Sequence, residues 1–438
     1  MMPADLMSTN TADALESRIR TNRLLDLPAS WADEVVFPYY NGLSLANVSL
    51  TAAHLLGLDV PDTALLDAAV WGGSPPDADR VVLFLTDGLG YLWLKRAMAD
   101  DAEIAALAGD LSDGRGPLPL TSIAPSTTVA ALTTLWTGVN PGTHGMLGTR
   151  LYLREFAMLS NMLGYKPLNG SHPDGVFAAW GHAPEAFVPV PGLGERLAGA
   201  GIPTHLLLPK NLMGSGLSKI LHRGIQHRHV HVGYSDLWLR LEDVLRATAG
   251  QRVYVSVYWP AVDTVAHAYG AYNRYLRNEI KYQLACLRQT LDEPAVRDGR
   301  TLVMILADHG HSDVPREINL AQDEPARPIF DALRAGYGGE NRLPFLYLRA
   351  GAAAAVVETL ERHYADSLTW VESGSALAAG LFGTEAPYAE TPHRLGDLVL
   401  IPRLGWQVSD NFARLDFLSM HGGLSDQEML VPLLWKRL

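Results

Sequence analysis

The chain has 438 residues, 48% hydrophobic and 19% charged, which is enough to bury a large core. Its net charge of −12 argues against a nucleic-acid polymer or an anionic membrane surface as the main partner. One cysteine, Cys286, excludes an internal disulfide, and we expect it to be a small buried hydrophobe. Because we find no signal-peptide pattern and no run of roughly 18 apolar residues, we expect a cytoplasmic protein that does not span a membrane.

The order of patterns predicts one main domain behind an N-terminal extension. Residues 1–78 are expected to form a helical extension that packs on the core, with a helix over 43–57. The main domain is expected at 79–438. Its region at about 150–250 is rich in Gly, Pro and His, and we interpret it as a cap or insertion at the mouth of a site.

Three continuous apolar runs predict strands that are buried on both faces. Residues 80–90 read RVVLFLTDGLG, residues 252–259 read RVYVSVYW, and residues 301–307 read TLVMILA. Apolar runs of this length, bounded by turn signals, are typical of a parallel sheet. Helical patterns occur between the strands, so the sequence predicts an α/β fold.

Each of these strands is followed by an acidic residue. Asp87 and Asp308 come directly after their strands, and Asp263 lies four residues beyond Trp259. An Asp after a strand is often only a turn residue, but open α/β sheets bind their ligands at these strand ends. Asp263 and His267 are four apart on a predicted helix and so point the same way, which suits a metal. A capping Asp with a surface His explains that pair equally well.

Thr128 lies at the start of another predicted helix. Residues 129–136 have helical character, Gly138 ends the helix, and Thr127 and Thr128 precede it. Either threonine could simply cap the helix. A hydroxyl at this position also lies in the positive end of the helix dipole, where backbone N–H groups bind phosphate. Both interpretations remain open at this point.

A histidine-rich stretch, HRHVH, occurs within the predicted cap. If it is a strand, His227, His229 and His231 share one face. Such a trio could bind a metal, but a solvated strand face is the favoured interpretation.

The acids and histidines together suit a two-metal site. Its candidate ligands are Asp87, Asp263, Asp308, His267, His309 and His421. Carboxylate and imidazole are suitable zinc ligands, although manganese also accepts them. Two metals about 3.5–4 Å apart can clamp the attacking and leaving oxygens of an in-line phosphoryl displacement. A threonine hydroxyl is a poor nucleophile until it is activated, for which metal coordination suffices.

The ordered set of motifs resembles the alkaline phosphatase superfamily, and most of all its type I phosphodiesterase/nucleotide pyrophosphatase branch. The motifs are Asp87-Gly88, Thr128, Asp263-x-x-x-His267, Asp308-His309 and His421-Gly422-Gly423. The segment from Thr128 to Thr137-Gly138, followed by Pro141-x-x-His144-Gly145, also fits the spacing of that branch. The resemblance covers roughly residues 80–150, 252–312 and 420–432.

The resemblance implies a three-layer α/β/α catalytic domain with a mostly parallel central sheet. It implies one divalent metal held by Asp263, His267 and His421. It implies a second metal held by Asp87, Asp308 and His309, with Thr128 coordinated to it. Thr128 then attacks phosphorus, and the resulting phospho-threonine is hydrolysed.

Three further residues are predicted to bind substrate. Tyr258, five residues before Asp263, matches an aromatic wall of the branch's substrate slot. Thr149 stands where nucleotide-cleaving members often have a phosphate-binding Asn, and Arg150 beside it could contact phosphate. Val129 follows the nucleophile where those members usually have an aromatic residue, so the base slot lacks one wall.

The sequence therefore predicts a phosphodiesterase or nucleotide pyrophosphatase acting on a small-molecule phosphate ester. The alternatives are a phosphomonoesterase or phosphonate hydrolase of the same superfamily, and a non-catalytic metal-binding module. A sulfatase is disfavoured, because that branch needs a modified Cys or Ser in a C/S-x-P-x-R motif and Cys286 lies in no such context. The sequence does not predict the oligomeric state.

Overall fold

The computed structural model describes residues 4–61, 65–410 and 417–438, with the backbone alone for residues 4–10. Its strands, in chain order, are β1 (Arg80–Thr86), β2 (Leu118–Thr121), β3 (Arg150–Leu153), β4 (Met158–Asn161), β5 (Lys166–Pro167), β6 (Thr204–Pro209), β7 (His227–His231), β8 (Val253–Trp259), β9 (Thr301–Leu306), β10 (Ser312–Asp313), β11 (Arg316–Asn319), β12 (Gly338–Glu340), β13 (Leu343–Leu346), β14 (Leu368–Glu372), β15 (Leu398–Pro402), β16 (Trp406–Ser409), β17 (Ser419–Met420) and β18 (Leu430–Arg437).

The α-helices are, in chain order, α1 (Ala4–Arg20), α2 (Leu45–Leu55), α3 (Ala68–Trp71), α4 (Tyr91–Asp100), α5 (Ala102–Asp110), α6 (Thr128–Thr137), α7 (Pro141–His144), α8 (Val176–Ala179), α9 (Leu193–Gly199), α10 (Gly216–Leu221), α11 (Tyr234–Ala247), α12 (Ala261–Tyr269), α13 (Arg274–Asp292), α14 (Arg327–Ala332), α15 (Ala353–His363), α16 (Ser373–Ala378), α17 (Thr391–Leu395) and α18 (Asp426–Met429). None of these helices is both long enough and apolar enough to cross a lipid bilayer.

The central sheet has seven strands in the order β2-β18-β9-β1-β8-β6-β7. Strand β1 lies between β9 and β8 and pairs with both in parallel, while β18 pairs antiparallel with both β9 and β2 at one side, so that β2 runs in the same direction as β1. The register pairs Thr86 with Trp259 and Leu85 with Leu306, so the three strands end at the same edge. The predicted mostly parallel α/β sheet is confirmed, and with it the convergence of the strand ends.

Helices cover both faces of this sheet. Successive side chains of a strand point to opposite faces. Phe84 stacks on Trp238 of α11 at a ring-centroid distance of 6.0 Å, whereas its neighbour Leu85 shares a cavity with Leu132 and Trp136 of α6. Every residue of β1 is buried, as an apolar run between two helical layers requires. The three-layer architecture is therefore confirmed.

A second, antiparallel sheet has the order β14-β15-β13-β12-β3-β4-β5. Its strands come from residues 150–167 and 338–402, and β3 joins β12 through Arg150 and Gly339. The region at about 150–250 therefore divides between two sheets, because β6 and β7 extend the central sheet in parallel. The bounds of the expected cap or insertion stay a prediction. Thr204–Pro209 is a largely buried apolar run, and such a run is stabilised as an inner strand.

The N-terminal segment contacts the edge strand β2 of the central sheet. Tyr39 donates its backbone N–H to Thr121 Oγ1 of β2 at 2.9 Å, and Trp31 is buried. Arg20 forms an ion pair of 3.1 Å with Asp426, close to the strand that carries the C-terminus.

Candidate active site

The predicted acids meet at the carboxyl edge of three neighbouring strands. Asp87 follows β1, Asp308 follows β9, and Asp263 lies in the first turn of α12 after β8. The backbone links two of them directly, since Asp263 donates its N–H to the carbonyl of Asp87 at 3.0 Å. The parallel register of the sheet is what places these side chains together.

Three groups of side chains in the described part of the chain have ligand atoms close enough to hold a metal ion. They are Asp263 with His267 and His421, Asp87 with Asp308 and His309, and Asp263 with His309 and His311. The first two groups are the ligand sets that the resemblance implies. The third contains a histidine that the sequence analysis did not single out.

In the first group the carboxylate of Asp263 faces two imidazoles. His267 Nε2 lies 3.3 Å and His421 Nε2 3.7 Å from Asp263 Oδ1. His267 donates Nδ1–H to the carbonyl of Ser419 at 2.8 Å, so its Nε2 is the nitrogen that faces Asp263 and could bind a metal. Burial would raise the pKa of Asp263, but hydrogen bonds from His267 and His311 hold it well below its usual value.

In the second group two buried carboxylates flank one imidazole. His309 Nε2 lies 3.4 Å from Asp87 Oδ1 and 3.6 Å from Asp308 Oδ2. Asp308 Oδ1 accepts the N–H groups of Gly88 (3.1 Å) and His309 (3.0 Å), while its buried Oδ2 has no hydrogen-bond partner among the described residues. Burial and the nearby charge of Asp308 raise the pKa of Asp87 well above its usual value. Crowded carboxylates with an unpartnered oxygen fit a divalent cation, which would neutralise them.

Thr128 belongs to the second group. Its Oγ1 lies 3.0 Å from His309 Nε2 and 3.5 Å from Asp87 Oδ1. His309 Nδ1 donates to the carbonyl of Gly310 at 3.1 Å, so Nε2 is the acceptor of the Thr128 hydroxyl. Thr128 is the first residue of α6, and the N-cap residue Thr127 makes no side-chain capping hydrogen bond. The hydroxyl of Thr128 is therefore turned toward the candidate metal ligands at the positive end of a helix.

His311 is the residue that the sequence analysis missed. Its Nε2 lies 2.9 Å from Asp263 Oδ1, and its Nδ1 lies 3.1 Å from Ser419 Oγ. Ser419 Oγ itself donates to the carbonyl of Ala266 at 2.7 Å, so it accepts from His311 Nδ1–H. Burial lowers the pKa of His311 to about 4, and its contact with Asp263 opposes that shift. Asp263, His309 and His311 are also one of the groups whose ligand atoms could hold a metal ion.

The sequence carried a signal for His311. It follows His309 by two residues in Asp308-His309-Gly310-His311, and the intervening glycine is a residue type that allows close approach of another backbone segment. A Cβ on Gly310 would lie 2.1 Å from the carbonyl of Gln427, so only glycine fits there.

The three predicted substrate-binding residues occupy different places. Tyr258 donates its hydroxyl to Asp87 Oδ2 and lines a cavity together with Thr128. Thr149 donates its backbone N–H to Glu340 Oε1 at 2.6 Å. Arg150 is buried, pairs with Asp410 Oδ2 at 2.8 Å, and lies 3.8 Å over the ring of Tyr337. Thr149 and Arg150 are not among the described residues that line the cavity.

His144, in the segment that fits the branch's spacing, acts within the fold. Its Nδ1 accepts the N–H of Met146 at 3.0 Å, so its Nε2–H donates to Thr134 Oγ1, also at 3.0 Å. The side chain is fully buried, and burial lowers its pKa to about 3. His144 thus ties the turn after α7 to the helix that presents Thr128.

The histidines of β7 do not form a compact trio. His229 Nε2 lies 3.0 Å from Nδ1 of His205 on β6, and the ring of His227 lies 4.3 Å from that of His205. His227 is exposed, whereas His231 is buried and donates Nδ1–H to the carbonyl of Gly233. Among the described residues, no group of ligand atoms that could hold a metal includes these histidines.

Comparisons with known proteins agree with this geometry. A family profile described as type I phosphodiesterase/nucleotide pyrophosphatase matches residues 81–424. The fold is similar to murine ectonucleotide pyrophosphatase/phosphodiesterase 5, at 14% identity and a TM-score of 0.59, over 81% of this chain and 87% of that one. The human protein of the same name gives 15% identity and a TM-score of 0.59, over 82% and 87% of the two chains.

A bacterial structure shares the fold as well. Phosphonoacetate hydrolase from Sinorhizobium meliloti 1021, in complex with phosphonoformate, is similar at 17% identity and a TM-score of 0.57, over 81% of this chain and 89% of that one. No curated protein sequence matches the chain. The family match covers most of the sequence and includes all seven of the predicted metal-site residues. The chain therefore belongs to the type I phosphodiesterase/nucleotide pyrophosphatase family, within the alkaline phosphatase superfamily.

Proposed function

We propose that this protein hydrolyses small-molecule phosphate diesters through a phospho-threonine intermediate on Thr128, with two zinc ions. The family places the chain among metal-dependent phosphate-ester hydrolases. The observation that carries the proposal is the position of Thr128 Oγ1, 3.0 Å from His309 Nε2 and 3.5 Å from Asp87 Oδ1. A nucleophile that lies inside a candidate metal-ligand group is positioned for activation by that metal.

The residues fit two divalent cations. Asp263, His267 and His421 would hold one, and Asp87, Asp308 and His309 would hold the other. When bound, the metals would lower the pKa of the threonine hydroxyl and neutralise charge on the phosphate and leaving oxygen. Mixed carboxylate and imidazole donors favour zinc, and manganese is the alternative that the loading experiment below compares.

The protein's own groups define the course of the reaction. Thr128 Oγ forms the bond to phosphorus, the opposite ester bond breaks with its electron pair, and the hydroxyl proton leaves to water. The first turn of α6 has no side-chain cap, so its backbone N–H groups are free to donate hydrogen bonds to phosphate oxygens. Tyr258 holds Asp87 through its hydroxyl and so fixes one ligand of the nucleophile's metal. Water then hydrolyses the phospho-threonine.

A diester is favoured over a monoester because space for a second ester group exists beside the nucleophile. A cavity of about 480 Å³ is lined by Thr128 and Tyr258 together with residues of β1, β6 and α10. Phosphonate hydrolysis is the second candidate, since the similar bacterial structure is named as a phosphonoacetate hydrolase.

The test is a comparison of Thr128→Ala and Thr128→Ser with the wild-type protein, loaded with zinc or manganese. Thr128→Ala should abolish turnover of bis-p-nitrophenyl phosphate while metal content, measured by plasma mass spectrometry, stays near two per chain. Thr128→Ser should retain measurable turnover because it keeps the hydroxyl. Undiminished activity of Thr128→Ala would exclude Thr128 as the nucleophile. Wild-type protein with less than about one metal per chain would exclude a two-metal enzyme.

A substrate panel separates the alternatives. The same loaded sample is assayed with a diester, p-nitrophenyl phosphate and phosphonoacetate. If the monoester or the phosphonate were turned over faster than the diester, the protein would be a phosphomonoesterase or a phosphonate hydrolase instead of a phosphodiesterase.

A further inference from the structure

The cavity beside Thr128 is lined by buried apolar side chains and by charged side chains that are exposed to solvent. The deep lining consists of buried apolar side chains: Leu85, Trp136, Leu206, Leu208, Leu217 and Leu221. The charged lining residues lie toward solvent, where the side chain of Asp174 is 61% exposed and that of Lys166 is 31% exposed. These two charges pair with each other at 2.8 Å. Ser218 and Ser256 add hydroxyl groups to the buried lining, where they are 7% and 6% exposed. The cavity is thus a largely apolar chamber with a charged mouth.

The deep end of the chamber also contains His222, which adds no charge near pH 7. His222 is 5% exposed, and its ring lies 5.1 Å from that of Trp136. Burial lowers its pKa to about 3, so the ring is neutral at physiological pH. Among the described lining residues, the charged side chains are therefore confined to the mouth.

Leu132 connects the chamber to the nucleophile. It lies four residues after Thr128 on α6, so the two side chains share a face of the helix. Both residues line the cavity and both are half-buried. A group attached to phosphorus at Thr128 therefore enters the chamber along Leu132.

We propose that the chamber binds the ester group that remains on phosphorus after Thr128 attacks, and that this group is a hydrocarbon, either an alkyl chain or a carbocyclic ring. The inference rests on the proposed function, because it assumes that Thr128 is the nucleophile. In this step the Thr128 Oγ–P bond forms, the P–O bond of the leaving group breaks with its electron pair, and the hydroxyl proton goes to water.

A nucleobase fits this lining poorly. Its ring carries several amide and amine groups, and a buried lining of six leucine and tryptophan side chains with two serines, Ser218 and Ser256, would leave most of them without hydrogen-bond partners. Val129, next to the nucleophile, is fully buried and is not among the described lining residues, so it offers no face for stacking. A volume of about 480 Å³ is nonetheless large enough for a sizeable organic group.

The test is a series of p-nitrophenyl alkyl phosphodiesters from methyl to hexyl, assayed with the zinc-loaded protein. The leaving group is constant, so changes in kcat/KM report binding of the alkyl group. We expect kcat/KM to rise about fourfold for each added methylene group. Thymidine 5′-(p-nitrophenyl phosphate), with the same leaving group, should be a poorer substrate than the hexyl ester. A flat series, or a better thymidine ester, would overturn the inference.

A matched pair of variants locates the effect. Leu132→Asn should lower kcat/KM for the hexyl ester about tenfold relative to the methyl ester. Leu239→Asn, at a leucine of α11 that is 65% exposed and outside the cavity, should leave that ratio unchanged. If Leu132→Asn and Leu239→Asn gave the same hexyl-to-methyl ratio of kcat/KM, binding along Leu132 would be contradicted.

Binding measured without turnover keeps the two proposals separable. Calorimetry on zinc-loaded Thr128→Ala should show hexyl phosphate binding more tightly than methyl phosphate, with a more negative heat-capacity change. If no diester is turned over but this difference appears, the proposed function fails and the chamber assignment stands. If diesters are turned over but affinity is independent of chain length, the chamber assignment alone fails.

Discussion

His311 Nε2 lies 2.9 Å from Asp263 Oδ1, inside the group of residues that would hold the first metal. The other ring nitrogen is fixed by Ser419, which is itself fixed by the carbonyl of Ala266. This chain of contacts orients the carboxylate of Asp263 beside His267 and His421, and it includes His311 in the candidate metal site.

Replacing His311 should therefore weaken metal binding. Loss of a group that orients a ligand typically costs 10–100-fold in metal affinity, and we expect a loss of about that size for His311→Ala. Competition with a zinc chelator measures it. His229→Ala, at a histidine of β7 outside the site, should bind zinc as the wild-type protein does. Unchanged zinc affinity in His311→Ala would show that His311 only fills space.

Gly88→Ala should disturb the site through a single added carbon. Gly88 has φ +78°, and a Cβ there would lie 2.9 Å from Asp263 Cα and 2.9 Å from His311 Nε2. Asp263 must move away, so we expect at least a tenfold loss of zinc affinity. Gly250→Ala is the matched control, because Gly250 has φ +67° but nothing within 4 Å of the added carbon.

The two glycine variants share the cost of a left-handed residue, about 1 kcal/mol of stability. Only Gly88→Ala should also lose metal. Equal zinc affinity in both variants would show that the site tolerates the displacement.

A buried ion pair fixes the segment that carries His421. Arg342 and Glu428 have fully buried side chains and are 2.7 Å apart, and Glu428 Oε1 also accepts the N–H of Gly423 at 2.9 Å. Arg342→Met leaves a buried carboxylate without its cation, so we expect a loss of about 3–5 kcal/mol in the free energy of unfolding.

Denaturant unfolding measures this loss, with Arg362→Met as the control. Arg362 pairs with Glu358 on the surface, with side chains 64% and 66% exposed, and its removal should change stability by less than about 0.5 kcal/mol. Similar losses in both variants would contradict a special role of the buried pair.

Stability should fall in acid because of buried neutral histidines. The pKa of His144 is lowered by burial to about 3, from about 6.5 in an unfolded chain. The unfolded state therefore binds a proton more readily, so the contribution of His144 is complete above pH ~6.5 and is lost as the pH falls toward ~3. Chelator-treated protein should lose a few kcal/mol of unfolding free energy over this window.

His144→Asn tests the assignment. It should be less stable at neutral pH because its hydrogen bond to Thr134 is lost. Its stability should also change less between pH 6.5 and pH 4 than that of the wild-type protein. If the free energy of unfolding depended on pH in the same way in His144→Asn and in the wild-type protein, groups other than His144 would cause the loss of stability in acid.

Much of the site followed from local patterns in the sequence. Apolar runs that end at Asp87 and Asp308 predict buried parallel strands, and parallel strands bring their ends to one edge. The spacing of Asp263 and His267 predicts a shared helix face, and in the structure Asp263 Oδ1 lies 3.3 Å from His267 Nε2. These inferences succeed because they depend on residues that are close in the sequence and on the rule that neighbouring parallel strands end at the same edge of the sheet.

The sequence by itself determined the fold class, the order of the motifs and the residue types that suit two metals. Only the tertiary structure decided that β6 and β7 extend the central sheet, that His311 contacts Asp263, and that Arg150 is buried against Asp410. Each of these depends on contacts between residues distant in the chain, which no local period specifies. The apolar chamber beside Thr128 has the same origin, since its walls come from separate strands and helices.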